Sequence, residues 1–265
     1  MGNAGASLAV SARMSVVAAP SRLRRLLMLA RTEIAPLSAF LILALGALGF
    51  IELADDMTEA DGRAFDQAVL HWLQPTPGHP RGAWWLHEAA ADLTSLGGIA
   101  VLTLFALAAI GFLLMQRKRL SALLLVLGLA GGVALSEGLK AVFERERPPV
   151  AYQAVETLNA SFPSGHALLA TVFYLTAAVM LARAFPRRRL KIYALCVGAT
   201  LALLVGLTRV YLGAHWMTDV LAGWCVGAAW AMALWLISHA AERWQRGRGA
   251  ALQDGLDPDQ TSNTR

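Results

Sequence analysis

Two polar clusters of the chain stand where long apolar segments begin or end, and each of them contains a histidine. The first cluster is residues 163–166, and the second is residues 208–219. If the apolar segments cross a membrane as helices, they bring His166, Arg209 and His215 to the same membrane surface. This arrangement is typical of an active site at a bilayer interface.

His215 and Asp219 lie four residues apart, so they share one face if a helix begins near Trp216. A carboxylate that hydrogen-bonds one imidazole nitrogen fixes the tautomer and raises the basicity of the other nitrogen. That second nitrogen can then act as a nucleophile or a base. The alternative is an interfacial histidine beside an aspartate that only caps a helix.

A third cluster, residues 140–148, follows another apolar segment and contains Lys140 and Arg147. Together with Arg209 these cations would surround a phosphate, because guanidinium and ammonium groups donate charge-assisted hydrogen bonds to its oxygens. Taken singly, each cation could instead extend toward lipid headgroups.

Ser164 and Gly165 precede His166 at the start of an apolar segment. Pro163 suits a helix start, and Ser164 is a good candidate for its N-cap. Gly165 lets a ligand approach the backbone closely, and the N-terminus of a helix attracts anions. A Ser-Gly pair is also an ordinary cap, and it is the neighbouring His166 that favours a binding role.

The composition indicates a polytopic membrane protein. Of its 265 residues, 57% are hydrophobic and 15% are charged, and the mean hydropathy is +0.51. The net charge is +5, but Arg and Lys occur in short segments between apolar runs, which fits orientation in a bilayer better than nucleic-acid binding. Cys196 and Cys225 lie within apolar runs and predict neither a disulfide nor a metal site.

We predict an all-α fold with six transmembrane helices, because six apolar segments are each long enough to cross about 30 Å of hydrocarbon. A six-span domain over residues 34–240 would lie between tails at 1–33 and 241–265, and the second tail is expected to be disordered from about residue 248. The segments lie at about residues 34–53, 97–115, 120–139, 165–185, 190–208 and 217–237.

The arginines and lysines predict the orientation. Residues 116–119 and 186–189 are basic turns, and positive charge is retained on the cytoplasmic side. Both termini would then be cytoplasmic and all three polar clusters would face the periplasm or exterior of a bacterial inner membrane. Cations in residues 140–147 break this trend, which favours a functional role for them.

The first external connection, residues 54–96, is expected to contain an amphipathic helix at the membrane interface. Phe65, Val69, Trp72 and Leu73 recur at helical spacing within it. The connection would either guide the substrate or simply pack on the helix bundle.

Taken together, the three clusters resemble the tripartite signature of the type 2 phosphatidic acid phosphatase (PAP2) superfamily. One departure is Thr208, where the family usually has serine, and its β-branched side chain is stiffer. The matching residues are Lys140 with six residues before Arg147-Pro148, then residues 163–166, then Arg209, His215 and Asp219.

The resemblance implies hydrolysis of a lipid phosphate without a metal or other cofactor. His215 would attack phosphorus to give a phosphohistidine, Asp219 would orient it, and His166 would protonate the leaving oxygen. The residues that would bind the phosphate are Lys140, Arg147, Ser164, Gly165 and Arg209.

The expected partners are the bilayer and a lipid substrate with its phosphate at the outer interface. Undecaprenyl diphosphate is favoured, ahead of phosphatidylglycerol phosphate, phosphatidic acid and a lipid A phosphate. The alternatives are an anion or lipid transporter that binds through the same basic cluster, and a catalytically silent scaffold. Small-residue pairs at Gly128/Gly132 and Gly223/Gly227 predict close helix packing, within the chain or in a homo-oligomer.

Overall fold

The computed structural model describes residues 22–154 and 159–255, with side chains over 33–154 and 159–248. Within these ranges the chain forms α-helices and one short 3-10 turn, and no strand. Residues 1–21 and 256–265 of the expected tails lie outside the described residues. The helices are α1 (Arg22–Asp56), α2 (Ala60–Leu73), α3 (Trp84–Ser95), α4 (Ile99–Met115), α5 (Arg119–Phe143), α6 (Gly165–Ala184), α7 (Arg188–Tyr211) and α8 (Met217–Gly255).

The all-α membrane fold is confirmed. Five helices are long and apolar enough to cross a membrane, and α3 with α4 would make a sixth span that bends by 50° at its break. The second predicted segment therefore corresponds to α4, which α3 extends toward the first connection. Two boundaries differ from expectation: α1 begins at Arg22, and α8 stays helical to Gly255, beyond the point where disorder was expected.

Helix α6 lies at the centre of the bundle and contacts α4, α5, α7 and α8. In its membrane-spanning stretch 56% of the residues are buried, against 11% in α1. Leu168 and Val172 of α6 belong to the main core, together with Leu102 of α4, Leu125 of α5 and Val205 of α7. Because His166 lies in the first turn of α6, this core holds its backbone in place.

Two glycines let α8 lie directly against α6. A Cβ at Gly223 would come within 2.7 Å of the Ser164 backbone oxygen, and one at Gly227 within 2.7 Å of the Leu168 oxygen. The predicted small-residue pair on α5 also faces neighbouring helices of the same chain. This close approach brings Asp219, one turn before Gly223, next to Ser164.

The first connection packs on the bundle through α2. Val69 and Leu73 contact a core cluster formed by α6, α7 and α8, whereas the other two residues of the predicted apolar pattern are exposed. Gln74, just after α2, is buried and donates a hydrogen bond to the Tyr211 oxygen at 2.9 Å. The amphipathic helix is therefore present, while its position at a membrane interface stays a prediction.

Candidate active site

Residues 140–154, 159–166 and 208–219 lie at one end of the bundle, called here the site end, where all three polar clusters meet. The Ser164 N–H donates to the Asp219 backbone oxygen at 2.9 Å, and the Ser161 N–H donates to the Arg145 oxygen at 2.8 Å. Arg147 Nη1 donates to the Ala214 oxygen at 2.7 Å. These bonds join segments that are far apart in the sequence into one site.

His215 is buried in this site with both ring nitrogens engaged. Its Nε2 lies 3.1 Å from Arg147 Nη1, which can only donate. Nε2 must therefore be the acceptor, and Nδ1 carries the proton of the neutral ring. Nδ1 faces Asp219 Oδ2 at 3.4 Å and Ser161 Oγ at 3.3 Å. The lone pair that can act as a nucleophile thus points at Arg147.

Asp219 is fully buried and holds several elements together. Its Oδ2 accepts the Trp216 N–H at 2.9 Å, which caps the start of α8, and it also accepts the Ser161 hydroxyl. Its Oδ1 accepts Arg145 Nη1 at 2.5 Å. Asp219 therefore caps a helix and faces the histidine at the same time, so it does not act only as a cap.

Burial controls the protonation of His215. Loss of solvent lowers the pKa of His215 to about 4, even though the adjacent Asp219 favours the protonated ring. Burial likewise lowers the pKa of the Arg147 guanidinium from its ordinary value. Near neutral pH the imidazole is therefore uncharged, as a nucleophile requires.

The three cations predicted to bind phosphate are all held by polar neighbours. Lys140 is buried and its Nζ donates to Glu137 Oε1 at 2.9 Å, a partner that the sequence analysis did not identify. Arg209 Nη1 donates to Thr94 Oγ1 of α3 at 3.2 Å. Arg147 donates to the Asn159 backbone oxygen at 2.8 Å and side-chain oxygen at 2.6 Å, in addition to its contact with His215.

His166 lies near enough to the three cations and to His215 to interact with each of them electrostatically. Gly165 and His166 are the first two residues of α6, and their backbone N–H groups have no acceptor within the helix. The structure therefore places all eight predicted site residues in one region of the site end.

Two buried polar atoms here have no hydrogen-bond partner among the described residues. They are the hydroxyl oxygen of Ser164 and the Nε of Arg209. Buried polar groups are rarely left unpaired, so these atoms are suited to meet a polar ligand. Ser164 does occupy the N-cap position of α6, but its side chain makes no capping bond, contrary to the simple cap interpretation.

Thr208, the one departure from the family signature, is turned away from the ligand groups. Its hydroxyl is buried and donates to the Val205 oxygen of its own helix at 2.7 Å. A threonine commonly bonds back to its helix in this way. Within the structure the hydroxyl therefore belongs to α7.

Asp66 of α2 is a site residue that the sequence analysis missed. It is 2% exposed, and its Oδ2 pairs with Arg145 Nη2 at 2.7 Å and accepts the Thr218 hydroxyl at 2.6 Å. Its Oδ1 accepts the Thr218 N–H at 2.9 Å. Arg145 thus bridges Asp66 and Asp219. The available signal was that Asp66 lies three and seven residues before Val69 and Leu73, on the face that packs on the bundle.

An open cavity of about 710 Å³ borders the site at Lys140, Arg145 and Arg147. Its wall combines cations of the site with carboxylates and the loop that follows α5. Among the lining residues are Glu137, Lys140, Glu144, Arg145, Arg147 and Asn159.

Comparisons with known proteins agree with this geometry. The family model of the PAP2 superfamily matches residues 120–243. Phosphatidylglycerophosphatase B of Bacillus subtilis is 35% identical over 147 residues, which cover 54% of this chain and 70% of that protein. An undecaprenyl-diphosphatase of Sulfolobus acidocaldarius is 33% identical over 121 residues, or 44% of this chain and 54% of that protein.

The fold is also similar to a solved structure. The crystal structure of a transmembrane PAP2-type phosphatidylglycerolphosphate phosphatase from Bacillus subtilis matches with a TM-score of 0.67 and 28% identity. The match covers 77% of this chain and 96% of the other. The chain belongs to the membrane-spanning lipid phosphatases of the PAP2 superfamily.

Proposed function

We propose that this chain hydrolyses the phosphate group of a lipid through a phosphohistidine intermediate on His215. The observation that carries the proposal is the pair of contacts on its imidazole. Nε2 faces Arg147 Nη1 at 3.1 Å, and Nδ1 faces Asp219 Oδ2 at 3.4 Å. The nucleophilic lone pair is thus directed at a cation that would bind the phosphate.

In the first step, His215 Nε2 bonds to the terminal phosphorus as the bond from that phosphorus to the leaving oxygen breaks. The leaving oxygen is the ester oxygen of a lipid phosphomonoester or the bridging oxygen of a lipid diphosphate. His166, held in its protonated form by the negative charge of the bound phosphate, transfers its proton to the departing oxygen. The ring of His215 becomes positively charged, and the Asp219 carboxylate stabilises it by accepting a hydrogen bond from Nδ1–H. In the second step, water attacks phosphorus, His166 accepts its proton, and the bond from phosphorus to Nε2 breaks.

The remaining predicted residues stabilise charge on the three other phosphate oxygens. Lys140, Arg147 and Arg209 supply positive charge, while Ser164 and the Gly165 N–H donate hydrogen bonds. Such prearranged electrostatic stabilisation is generally the largest part of phosphoryl-transfer catalysis. Since these side chains can supply the charge themselves, the mechanism needs no metal ion or other cofactor.

The proposed substrate is a lipid phosphomonoester or diphosphate. Undecaprenyl diphosphate remains the favoured lipid, and phosphatidylglycerol phosphate is tested beside it because the two relatives are named for these activities. A lipid tail would stay in the bilayer while its phosphate enters the cavity at the site end.

We further propose that the site faces the exterior of the cytoplasmic membrane, with both termini inside. The support is the arginine-rich end, defined as residue 33 and residues 116–119, 183–189 and 242–248, which lies opposite the site end. A topology reporter fused after the last residue should report a cytoplasmic location. A periplasmic signal would reverse the orientation and contradict an external site.

The function is tested with purified protein in detergent containing EDTA. We expect phosphate release from undecaprenyl diphosphate or phosphatidylglycerol phosphate, and its loss in His215→Ala. His79→Ala is the matched control, because His79 is an exposed histidine of the first connection and should retain activity. Protein quenched in alkaline detergent, where a phosphohistidine is stable, should carry phosphate in wild type and His79→Ala and not in His215→Ala.

Two outcomes would contradict the proposal. One is full activity in His215→Ala. The other is no release from any lipid phosphate by folded wild type, which would favour the transporter or scaffold alternatives.

A further inference from the structure

Ser136 of α5 is a buried polar residue that belongs to none of the three signature clusters. It is 2% exposed, and its hydroxyl has no hydrogen-bond partner anywhere in the described ranges. It lies four residues before Lys140, so the two side chains leave α5 on the same face.

Several other helical hydroxyls of this chain bond back to their own helix. Thr171 donates to the Ala167 oxygen at 2.7 Å, and Ser95 donates to the Ala91 oxygen at 3.2 Å. This backbone bond is the usual way for Ser and Thr to avoid an unpaired hydroxyl in a helix. The Ser136 hydroxyl does not make it and points elsewhere.

The hydroxyl points to the start of α6. A Cβ at Gly165 would lie 3.0 Å from Ser136 Oγ and 3.6 Å from Lys140 Nζ. The hydroxyl and the ammonium therefore border the same small space beside the first residue of α6. Ser164, immediately before this residue, also has a buried hydroxyl without a partner.

We propose that the Ser136 hydroxyl donates a hydrogen bond to a phosphate oxygen of the bound lipid, beside Lys140 and the N-terminus of α6. The inference rests on the proposed function, which it extends by adding a phosphate-binding residue outside the signature. Leaving a buried hydroxyl unpaired destabilises the free protein, and a ligand oxygen would remove that cost.

The test compares Ser136→Ala with Ser121→Ala, the same change near the other end of α5. The probe is orthovanadate, a phosphate analogue, used first as an inhibitor of lipid phosphate hydrolysis. We expect Ser136→Ala to weaken vanadate inhibition about three- to tenfold, the value of one ordinary hydrogen bond. Ser121→Ala should leave it unchanged.

Thermal unfolding without vanadate separates binding from a structural role. Removal of an unpaired hydroxyl should leave the unfolding midpoint of Ser136→Ala equal to or above that of wild type. Unchanged vanadate inhibition, or a lowered midpoint, would overturn the proposal, because the hydroxyl would then have no ligand or would already have a partner in the protein.

A third measurement keeps this proposal distinct from the proposed function. Vanadate should raise the unfolding midpoint of folded wild type, whether or not any lipid is hydrolysed, and raise that of Ser136→Ala by less. If wild type hydrolyses lipid phosphate but vanadate raises the unfolding midpoint equally in both proteins, the role of Ser136 is refuted and the proposed function stands. If wild type hydrolyses nothing but vanadate raises the midpoint less in Ser136→Ala, the proposed function is refuted and the binding role of Ser136 is supported.

Discussion

Ion pairs at the two ends of the bundle differ in burial. At the site end, Arg145 binds Asp66 and Asp219, and the exposed fractions of the three side chains are 11%, 1% and 0%. At the arginine-rich end, Arg183 pairs with Glu242 at 46% and 37% exposure. Nearby, Arg243 pairs with Glu33 at 58% and 46% exposure.

The difference separates two uses of charge. Exposed pairs contribute little to stability, so the arginines at the arginine-rich end are best explained by their preference for one membrane face. A buried pair costs several kcal/mol in desolvation, and its loss leaves an uncompensated charge. The charges of the site end are retained in spite of that cost, and they hold the carboxylate that orients His215.

The largest effect is expected for Asp66→Ala. The change leaves the buried Arg145 and the Thr218 N–H without their partner on α2. We expect the free energy of unfolding to fall by about 3–5 kcal/mol. Lipid phosphate hydrolysis should also fall, since Arg145 would no longer be held against Asp219. Unfolding in detergent and phosphate release measure the two effects.

Asp92→Ala is the matched control for this variant. Asp92 is an exposed aspartate of α3 in the same connection, and its loss should change stability by about 0.5 kcal/mol or less. Equal destabilisation by the two variants would show that the buried pair has no special role.

Acid should destabilise the site end through His215. The folded pKa of His215 is about 4, below the ordinary value of 6.5, so the unfolded chain binds the proton first. The stability contributed by the neutral buried ring is complete above about pH 6.5 and is lost as the pH falls toward 4. The loss is roughly 3 kcal/mol.

The measurement is the free energy of unfolding of wild type and His215→Asn at several values between pH 7 and pH 4. The stability difference between the two proteins should change across this range, because only wild type carries the buried imidazole. A constant difference would mean that His215 takes up its proton equally in the folded and unfolded chains.

The smallest effect is expected at the arginine-rich end. Arg243→Gln removes an exposed pair with Glu33 that spans 3.1 Å. Stability should change by about 1 kcal/mol or less, and salt should reduce the change further. A loss as large as that of Asp66→Ala would remove the contrast between the two ends.

The helices and the signature residues were accessible from the sequence because they depend on local patterns. Each apolar segment is continuous, and each signature motif has a fixed internal spacing. The prediction that three remote clusters share one end follows from the alternating direction of successive spans. Placement of His166, Arg209 and His215 together in the site end agrees with that reasoning.

Contacts between remote segments were not accessible in the same way. Asp66 meets Thr218 across 152 positions of sequence, and no local pattern encodes that pairing. The bent join of α3 and α4 depends on packing in the bundle, where Gly97 lies against Val205 and His166. Residue type alone does not show that the Thr208 hydroxyl bonds to its own helix while the Ser136 hydroxyl has no partner in the described residues. That difference depends on how each side chain is oriented in the fold.

The bridge from Asp66 through Arg145 to Asp219 also bears on the biogenesis of the protein. Asp66 lies on α2 and is translated before Asp219, which lies on α8. Since chains fold from the N-terminus as they are synthesised, α2 lacks these contacts until α8 has been made. A chain that stalls before α8 contains His215 but lacks Asp219, the carboxylate that would orient it. On the proposed mechanism, such a chain could not yet attack the lipid phosphates around it.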